Sequence, residues 1–491
     1  MTSFRIAVLL LFLLAFPANE VASDDNDDEG EDAWSRCNCP AADPDYDAEE
    51  VRPPSARMAY LISVHNRRTI ADGAYLLRAL METSHPDDTA VILIHVDKRV
   101  DIASRDFDAE DPEQENQFLY HDSSLKKYVD ACLAATACTR DERTSTKSNA
   151  TILEVHSRFS PAWSKWSMND PTLWAMDYLV HHTKLTRQQG ARSWDVFVNL
   201  SGDTLPVVTA ERISQFFEPE NGPLGNTNFV TSASCVTGMV PTSIFDFPEQ
   251  TMKRGHYFQH NIPKTLSYVD PATGEWKEDA ETPIYFGSQW MALTHQFVEY
   301  VIRSMGHPNG LGNVLKETLI KTKVLMTDET FFATILMNSP TFKGTLPELN
   351  DDGALESFPT MYSLRYERMD ENAPNAWGDY TSSYPLYDVP TNFKKVTGGE
   401  GPAKPWGPYF LGTYDLGSIK DSGALFVRKV SRAVDGNLVR MLPVRSVREG
   451  SLEWDELPDI RWPEMGVKIK DPFVWAKRKK ETEEEEEEEE E

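Results

Sequence analysis

Positive charge is scarce in this sequence. Lysine and arginine supply 49 of its 491 residues against 78 aspartates and glutamates, and the formal net charge is −29. Much of the excess lies at the ends, because residues 24–50 carry twelve acids against Arg36 and residues 481–491 include ten glutamates. Binding to a nucleic acid duplex needs clustered basic side chains. The composition therefore argues against nucleic acid as a partner and predicts solvated, disordered ends.

Long hydrophobic runs are also missing. The apolar run from Ile6 to Phe16 is shorter than the roughly 18 residues that usually span a bilayer. It follows Arg5 and precedes the small residues of Val21-Ala-Ser23, which is the order of a secretory signal. We therefore predict a signal peptide over residues 1–23, with a short signal anchor as the alternative. The expected location is the secretory pathway, in the Golgi or endoplasmic reticulum lumen, as a secreted or membrane-anchored protein.

Cysteine is sparse, with five residues in the whole chain. In the oxidising secretory pathway these cysteines can form disulfides. Cys132 and Cys138 could close a small loop, and Cys235 could pair with Cys37 or Cys39, which leaves one thiol odd.

Buried strands that end in polar clusters characterise the middle of the chain. Runs of strand length extend from Met58 to Val64, from Ala90 to Ile94 and from Asp195 to Leu200. A helical stretch from Thr69 to Thr83 joins the first two and predicts a βαβ unit. Ligands of such parallel sheets bind beyond the carboxyl ends of the strands, where polar residues follow all three runs. The sequon Asn199-Leu-Ser201 overlaps the third run and is predicted to be too buried for glycosylation.

Further helices are predicted from periodicity and capping residues. They cover 125–134, 171–182, a segment from 209, 294–305 and 327–337. Residues 340–420 are dense in Pro, Gly, Tyr and Asp, which predicts long ordered loops.

Glu329 stands at the start of the last predicted helix, in the segment Thr327-Asp-Glu-Thr-Phe-Phe-Ala-Thr-Ile-Leu-Met-Asn-Ser-Pro340. A carboxylate there can simply stabilise the helix dipole. This segment, with Gly287-Ser-Gln-Trp290 and Phe297-Val-Glu-Tyr-Val301 upstream, resembles the signature of the core-2/I-branching and peptide O-xylosyltransferase family (glycosyltransferase family 14). The matching glutamate of that family is the general base, so the resemblance implies this role for Glu329.

The resemblance extends in the family's order over residues 57–432. It implies an α/β, GT-A-like (Rossmann-like) glycosyltransferase domain with long C-terminal loops, a uridine-diphosphate sugar donor and an inverting single displacement without an obligatory metal or other cofactor. The further motifs are Ala59–His65, His95–Arg99, Asn199–Gly202 with Pro206, Leu364-Arg365 and Ala424–Lys429. The predicted organisation is a signal segment (1–23), an acidic disordered linker (24–56), the glycosyltransferase domain (57–435), a C-terminal extension (436–475) and a basic then polyglutamate disordered tail (476–491).

The absence of a metal-binding motif after any predicted strand agrees with that implication. The Asp-x-Asp triplets all fall in the acidic linker and the 101–150 insertion, and they include Asp43-Pro-Asp45, Asp45-Tyr-Asp47 and Asp106-Phe-Asp108. Without a divalent ion, the leaving nucleoside diphosphate needs fixed cations. By the resemblance, Arg428 and Lys429 clamp the leaving group and Arg365 supports them, although surface ion pairing is the alternative for each. His256 and His260 are four residues apart, but no acid or cysteine completes a ligand set, so we predict ordinary polar histidines.

The remaining predicted site residues follow the first two strands or are aromatic. Asp97 and the Val64-His65 turn are expected at uracil or ribose, with loop-capping hydrogen bonds as the alternative. The complete donor set is Val64, His65, Asp97, Arg99, Arg365, Arg428 and Lys429. The expected acceptor or sugar wall is Trp166, Trp290 and Asp328, with core packing as the commoner fate of a single tryptophan.

Two departures from the family pattern concern the central turn and the phosphate site. Where many members have Asp two positions before Pro206, this chain has Thr204, and Asp203 is displaced by one. Where some N-acetylglucosaminyl members have a phosphate-binding arginine, this chain has Lys404.

Three functions remain open at this point. His95-Val-Asp-Lys-Arg99 and the ending Leu-Met-Asn-Ser-Pro340 favour the xylosyltransferase branch, with UDP-xylose as donor and a serine of a secreted or membrane glycoprotein or proteoglycan as acceptor. The alternatives are a β-1,6-N-acetylglucosaminyltransferase that branches a glycan and an inactive secreted protein that binds nucleotide sugars. Association with the Golgi membrane is expected if the signal is an anchor.

Overall fold

The computed structural model of the protein describes residues 55–84, 88–100, 120–138, 151–162, 165–182, 194–217, 227–230, 233–234, 263–324, 326–346, 364–367, 410–421, 424–432, 435–442, 464–465 and 467–468. Several predicted features lie outside them: the signal segment, nearly all of the acidic linker, the Asp-x-Asp triplets, Cys37, Cys39, Cys235, the histidine pair 256/260, Lys404 and the C-terminal tail.

A five-stranded, mainly parallel sheet forms the centre of the fold. Its strands are β1 (Met58–Val64), β2 (Thr89–Val96), β3 (Ile152–His156), β4 (Val196–Ser201) and β10 (Ala292–Thr294). Their order in the sheet is β10-β4-β1-β2-β3. Strand β1 is parallel to both β2 and β4, β2 is parallel to β3, and β10 forms the other edge, antiparallel to β4. The predicted α/β fold with a parallel sheet is confirmed.

Helices cover both faces of this sheet, which explains why β1 and β2 are apolar at nearly every position. The helices are α1 (Arg67–Glu82), α2 (Ser124–Cys138), α3 (Asp170–His181), α4 (Ala210–Phe216), α5 (His295–Gly306), α6 (Leu311–Lys321), α7 (Phe331–Asn338), α8 (Leu416–Asp421) and α9 (Gly436–Met441). One cluster of buried side chains joins Tyr60 and Ile62 of β1 to Leu77 of α1 and Leu125 of α2.

The opposite face of the sheet carries a second cluster. Leu61 of β1 and Phe197 of β4 pack there with side chains of α3, α5, α6 and α7. Alternate residues of each strand therefore point to different cores, as the period of two in a strand requires.

A small sheet brings the C-terminal part of the chain to the end of β4. Strand β12 (Phe426–Arg428) pairs antiparallel with β5 (Thr204–Pro206) and parallel with β11 (Arg365–Glu367). Arg428 thereby lies between Thr204 and Glu367. The remaining strands are β6 (Ala233–Ser234), β7 (Thr265–Val269), β8 (Trp276–Glu281), β9 (Tyr285–Phe286), β13 (Glu464–Met465) and β14 (Val467–Lys468).

The helix predicted from Thr327 begins differently. Residues Thr327–Glu329 form a 3-10 turn, and α7 starts only at Phe331. Met326 before the turn has a φ of 55°, in the left-handed region, and Thr330 between the turn and α7 has a φ of −117°, outside the usual α-helical range of φ, so the helical path is interrupted before Phe331. The other predicted helices are present with ends shifted by a few residues. Among the described residues, no helix combines the length and apolar character needed to cross a membrane.

Candidate active site

The carboxyl ends of β1, β2 and β4 meet at one edge of the sheet, as parallel pairing requires. The amide of Asp97 donates to the carbonyl of Val64 at 2.8 Å, and the amide of Gly202 donates to that of Ser63 at 3.0 Å. His65 is exposed just beyond β1, whereas the Val64 side chain is fully buried in the core. Of the predicted Val64-His65 pair, only the histidine side chain is available to a ligand.

Asp97 and Arg99 form a closed ion pair beyond β2. Asp97 is buried, and Arg99 Nη2 lies 2.5 Å from its Oδ2. Arg99 also donates to the carbonyl of Pro161 at 2.7 Å, which ties β2 to the segment after β3. The hydrogen bond to Asp97 raises the pKa of Arg99. The alternative role of Asp97, capping its own loop, is present in the structure, because the Arg99 amide also donates to it at 2.8 Å.

Arg428 is the centre of a charge network on the small sheet. Its Nε lies 3.0 Å from Ser201 Oγ and 3.3 Å from Asp203 Oδ1, and its Nη1 lies 3.2 Å from Glu367 Oε1. Burial alone would raise the pKa of Asp203, but the charges of Arg428 and Lys429 and the Ser201 hydroxyl lower it to about 2. The Asp203 carboxylate is therefore ionised throughout the physiological range.

Trp290 lies against two arginines. The Arg428 guanidinium carbon is 4.7 Å from the centre of the Trp290 ring, and that of Arg365 is 5.4 Å away. Arg365 is fully buried, donates to the Asn199 carbonyl, and has a pKa lowered by burial to about 9. Arg365 therefore supports the site from beneath, and in this conformation it cannot contact a donor as predicted. Trp290 is 8% exposed, so it offers only an edge as a wall.

Lys429 and Arg68 both lie near the ring of Phe410. Lys429 Nζ is 5.8 Å from the centre of that ring, and the Arg68 guanidinium carbon is 4.5 Å from it. Both cations are half-buried, near His65 and Asp203. Burial, together with the charges of Arg428 and Arg68, lowers the pKa of Lys429 to about 8. Cations at this edge suit an anionic phosphate ligand.

The backbone of Glu329 is hydrogen-bonded to the segment that carries Trp290. Its carbonyl accepts a hydrogen bond from the Gly287 amide at 2.6 Å, and its side chain is half-buried. Asn199 continues the link, because its side chain donates to the Gln289 carbonyl at 2.7 Å and accepts from the Met291 amide at 2.8 Å. Hydrogen bonds thus connect the Glu329 turn to residues 287–291, and residues 287–291 to β4.

Asp328 and Trp166 lie on the inner side of the Glu329 turn. Asp328 is 7% exposed, and burial raises its pKa to about 6. Its side chain thus offers little surface to a sugar, contrary to the predicted wall. Trp166 is half-buried, stands edge-to-face on Phe331 at 5.0 Å, and has Lys316 Nζ 5.5 Å from its ring centre.

Three features of the site were not predicted from the sequence: Arg68, Phe410 and the structural role of Asn199. Arg68 belongs to the polar cluster after β1, so its position beyond a strand end was a usable signal. Phe410 falls in the loop-rich region, where nothing in the sequence indicates a partner. The two amide contacts and the burial of Asn199 confirm the prediction that its sequon is too buried for glycosylation.

Two further predictions concern cysteine and metal. Cys132 is fully buried and disulfide-bonded, while the identity of its partner stays a prediction. Within the described ranges, no group of three or more His, Cys, Asp or Glu side chains is placed to hold a metal ion. The expectation of a metal-free reaction therefore stays a prediction.

Comparison with known proteins identifies the class of domain that carries this site. Residues 108–349 match the family model "Branch: Core-2/I-Branching enzyme". A curated relative is the Beta-glucuronosyltransferase GlcAT14A of Arabidopsis thaliana, 23% identical over 302 residues that cover 60% of this chain and 53% of the relative. The chain thus spans about half the length of the curated relative it matches.

A solved structure with some similarity is that of Core-mannan synthase A from Aspergillus fumigatus in its Mn/GDP form. It has a TM-score of 0.24 and 10% identity, and the match covers 61% of this chain and 73% of that chain. A likeness this low adds nothing to the fold described above. The family match establishes that the chain carries a glycosyltransferase domain. Residues 108–349 carry a core-2/I-branching enzyme domain of glycosyltransferase family 14, as the sequence motifs predicted.

Proposed function

We propose that this protein transfers a sugar from a UDP-sugar to a hydroxyl group of a protein or glycan, with inversion at the anomeric carbon. The observation that carries the proposal is the arrangement at the carboxyl edge of the sheet. The cations Arg68, Arg428 and Lys429 gather there, Arg428 lies against Trp290, and hydrogen bonds connect the 287–291 segment that carries Trp290 to the turn that bears Glu329.

Each group has a defined task in this reaction. Glu329 takes the proton of the acceptor hydroxyl while the hydroxyl oxygen forms a bond to the anomeric carbon. The bond from that carbon to the diphosphate oxygen breaks in the same displacement, and UDP leaves with its electron pair. Lys429 and Arg428 neutralise the charge that develops on the leaving oxygen. His65 and Asp97 border the same edge, where the nucleoside is expected.

Xylose is the donor sugar that the sequence motifs favour, with a serine hydroxyl as acceptor. The name of the Arabidopsis relative gives a second candidate, a glucuronosyl donor. N-acetylglucosamine is the third, from the branching side of the family. We propose that no metal is required, because the described cations lie where a divalent ion would otherwise neutralise the diphosphate. We also propose that the enzyme acts in the secretory pathway on secreted or membrane glycoproteins.

The test is UDP release by the purified full-length chain with UDP-xylose, UDP-glucuronate and UDP-N-acetylglucosamine, each in EDTA and in Mn²⁺. One donor should release UDP in EDTA, and Glu329→Gln should lower that rate about 100- to 10,000-fold, the usual contribution of a general base. Glu299→Gln, which removes a half-buried carboxylate paired with Arg303 and His295, is the matched control and should keep the rate.

Three outcomes would contradict parts of the proposal. Release only in Mn²⁺ would refute the metal-free reaction. Full activity of Glu329→Gln would refute its role, and a simultaneous loss in Asp328→Asn would transfer that role to the buried neighbour. Binding of UDP without release from any donor, with or without peptide and glycan acceptors, would favour the inactive nucleotide-sugar-binding protein.

A further inference from the structure

Asp203 is held in place on three sides at the turn between β4 and β5. It is 2% exposed, and its carboxylate accepts a hydrogen bond from the Ser201 hydroxyl. The Arg428 Nε lies 3.3 Å from the same carboxylate, and the Val430 amide donates to the Asp203 backbone carbonyl at 2.9 Å. This aspartate is thus built into the support of the 428–430 segment and has no surface to offer a substrate.

Asp203 provides a fixed negative charge among cations. The charge of Asp203 opposes the combined effect of burial, Arg428 and Arg68 on the half-buried ammonium group of Lys429. A lysine beside two arginines gives up its proton more readily, because like charges disfavour the ionised form. The proton on Lys429 therefore depends in part on the carboxylate of Asp203.

We propose that Asp203 is a positioning residue of the donor site: its buried carboxylate, ion-paired with Arg428, places a fixed negative charge behind the Arg428-Lys429 pair that binds a nucleoside diphosphate. This inference rests on the proposed function, since it takes Lys429 as a contact of the diphosphate. It assigns a role to the acid that is displaced by one position in the central turn. It also explains why a fully buried carboxylate lies directly behind a site for anions.

Other charged groups around Lys429 enter the pH dependence. Arg428 and Glu367 approach from the small sheet, Arg68 and Asp72 from α1, and His65 from the turn after β1. Burial raises the pKa of Asp72 to about 7. Because this titration extends past pH 7.5, the same measurement of UDP affinity on Asp72→Asn separates its contribution from that of Lys429.

The experiment measures the dissociation constant of UDP by calorimetry between pH 7.5 and 9.5, with the full-length chain in EDTA. The wild-type affinity should fall with a midpoint near pH 8, as Lys429 loses its proton. In Asp203→Asn the midpoint should move lower by on the order of one pH unit, to below pH 7.5, because the opposing charge is lost, so the fall centred near pH 8 should be absent from the measured range. Glu299→Gln, which breaks ion pairs with His295 and Arg303, should keep the wild-type midpoint.

A second variant separates charge from structure. Lys429→Arg carries a charge that does not titrate in this range, so its UDP affinity should stay level up to pH 9.5. Asp203→Asn in that background should lower the affinity equally at every pH, without a midpoint. A purely structural role of Asp203 would lower affinity in both backgrounds and shift no midpoint.

Each failure has a distinct meaning. An unchanged midpoint in Asp203→Asn overturns the inference, while UDP binding and the proposed function stand. If Asp203→Asn does not fold by circular dichroism, the comparison of wild type with Lys429→Arg still tests the step through Lys429, because a fall in affinity that survives in Lys429→Arg overturns the inference. Absence of UDP binding by the wild-type protein at every pH overturns the proposed function together with the inference.

Discussion

We expect loss of the Asn199 side chain to release the segment that carries Trp290 from β4. Asn199 lies on β4, is 4% exposed, and uses both ends of its side-chain amide on the segment that carries Trp290. The substitution Asn199→Ala removes a donor to the Gln289 carbonyl and an acceptor for the Met291 amide. Both backbone groups then lack their partner in a buried place.

The cost follows from these two groups. A buried polar group left without a partner costs about 1–3 kcal/mol. Asn199→Ala should therefore lower the free energy of unfolding by about 2–5 kcal/mol, a large part of the 5–15 kcal/mol typical of a folded domain. Because Trp290 packs against Arg428, release of this segment should also weaken UDP binding, by roughly tenfold for each 1.4 kcal/mol of lost positioning.

Asn228→Ala is the matched control. Asn228 is also fully buried, and its amide accepts from the Thr294 amide at 2.8 Å and donates to Thr345 Oγ1 at 2.8 Å. Urea unfolding should show a similar loss of stability for both variants, whereas calorimetry should show weaker UDP binding only for Asn199→Ala. A loss below about 1 kcal/mol for Asn199→Ala, or equal UDP affinities of the two variants, would refute the reasoning.

Two further predictions concern the packing and titration of α1. A Cβ on Gly202 would lie 1.9 Å from the Thr69 carbonyl oxygen, so Gly202→Ala should cost about 1–3 kcal/mol in urea unfolding, while Gly417→Ala, where a Cβ meets nothing within 4 Å, should cost little. Because burial raises the pKa of Asp72 from 3.8 to about 7, the folded state holds a proton that the unfolded state has released, and stability should fall as pH rises from about 4 to 7. In Asp72→Asn this part of the decline should be absent; a wild-type urea midpoint that stays flat over that range, or falls equally in the variant, would contradict the assignment.

The strands and most helices could be predicted because their signals are local. The run Met58 to Val64 is apolar throughout, since β1 is covered on both faces, and that pattern is written in consecutive residues. The capping Thr209 indicates the start of α4, and its hydroxyl accepts from the Arg212 amide as expected. The 3-10 turn at Glu329 was not predictable, because the left-handed Met326 carries no sequence signal of the kind that glycine gives.

The residue types of the site were predictable, but their exposure was not. Arg365 begins the short strand β11 and Arg428 ends the short strand β12, and no residue pattern around either arginine indicates that their exposure differs. The pairing of β12 with β5 and with β11 places Arg428 beside Asp203 and Glu367, and it places the Arg365 guanidinium against the Trp290 ring. Burial depends on neighbours that are distant in the chain, and no local pattern encodes it.

The sequence by itself determined the parallel α/β core, the polar ends of its strands and the glutamate of the family motif, because each depends on residues close together in the chain. The tertiary structure decided which cations face the site, which aspartate supports them and how the Glu329 turn is joined to Trp290. These contacts connect residues more than 40 positions apart, and in one case 225. Only the folding of the whole domain brings their charges within the few ångströms at which electrostatic interactions become strong.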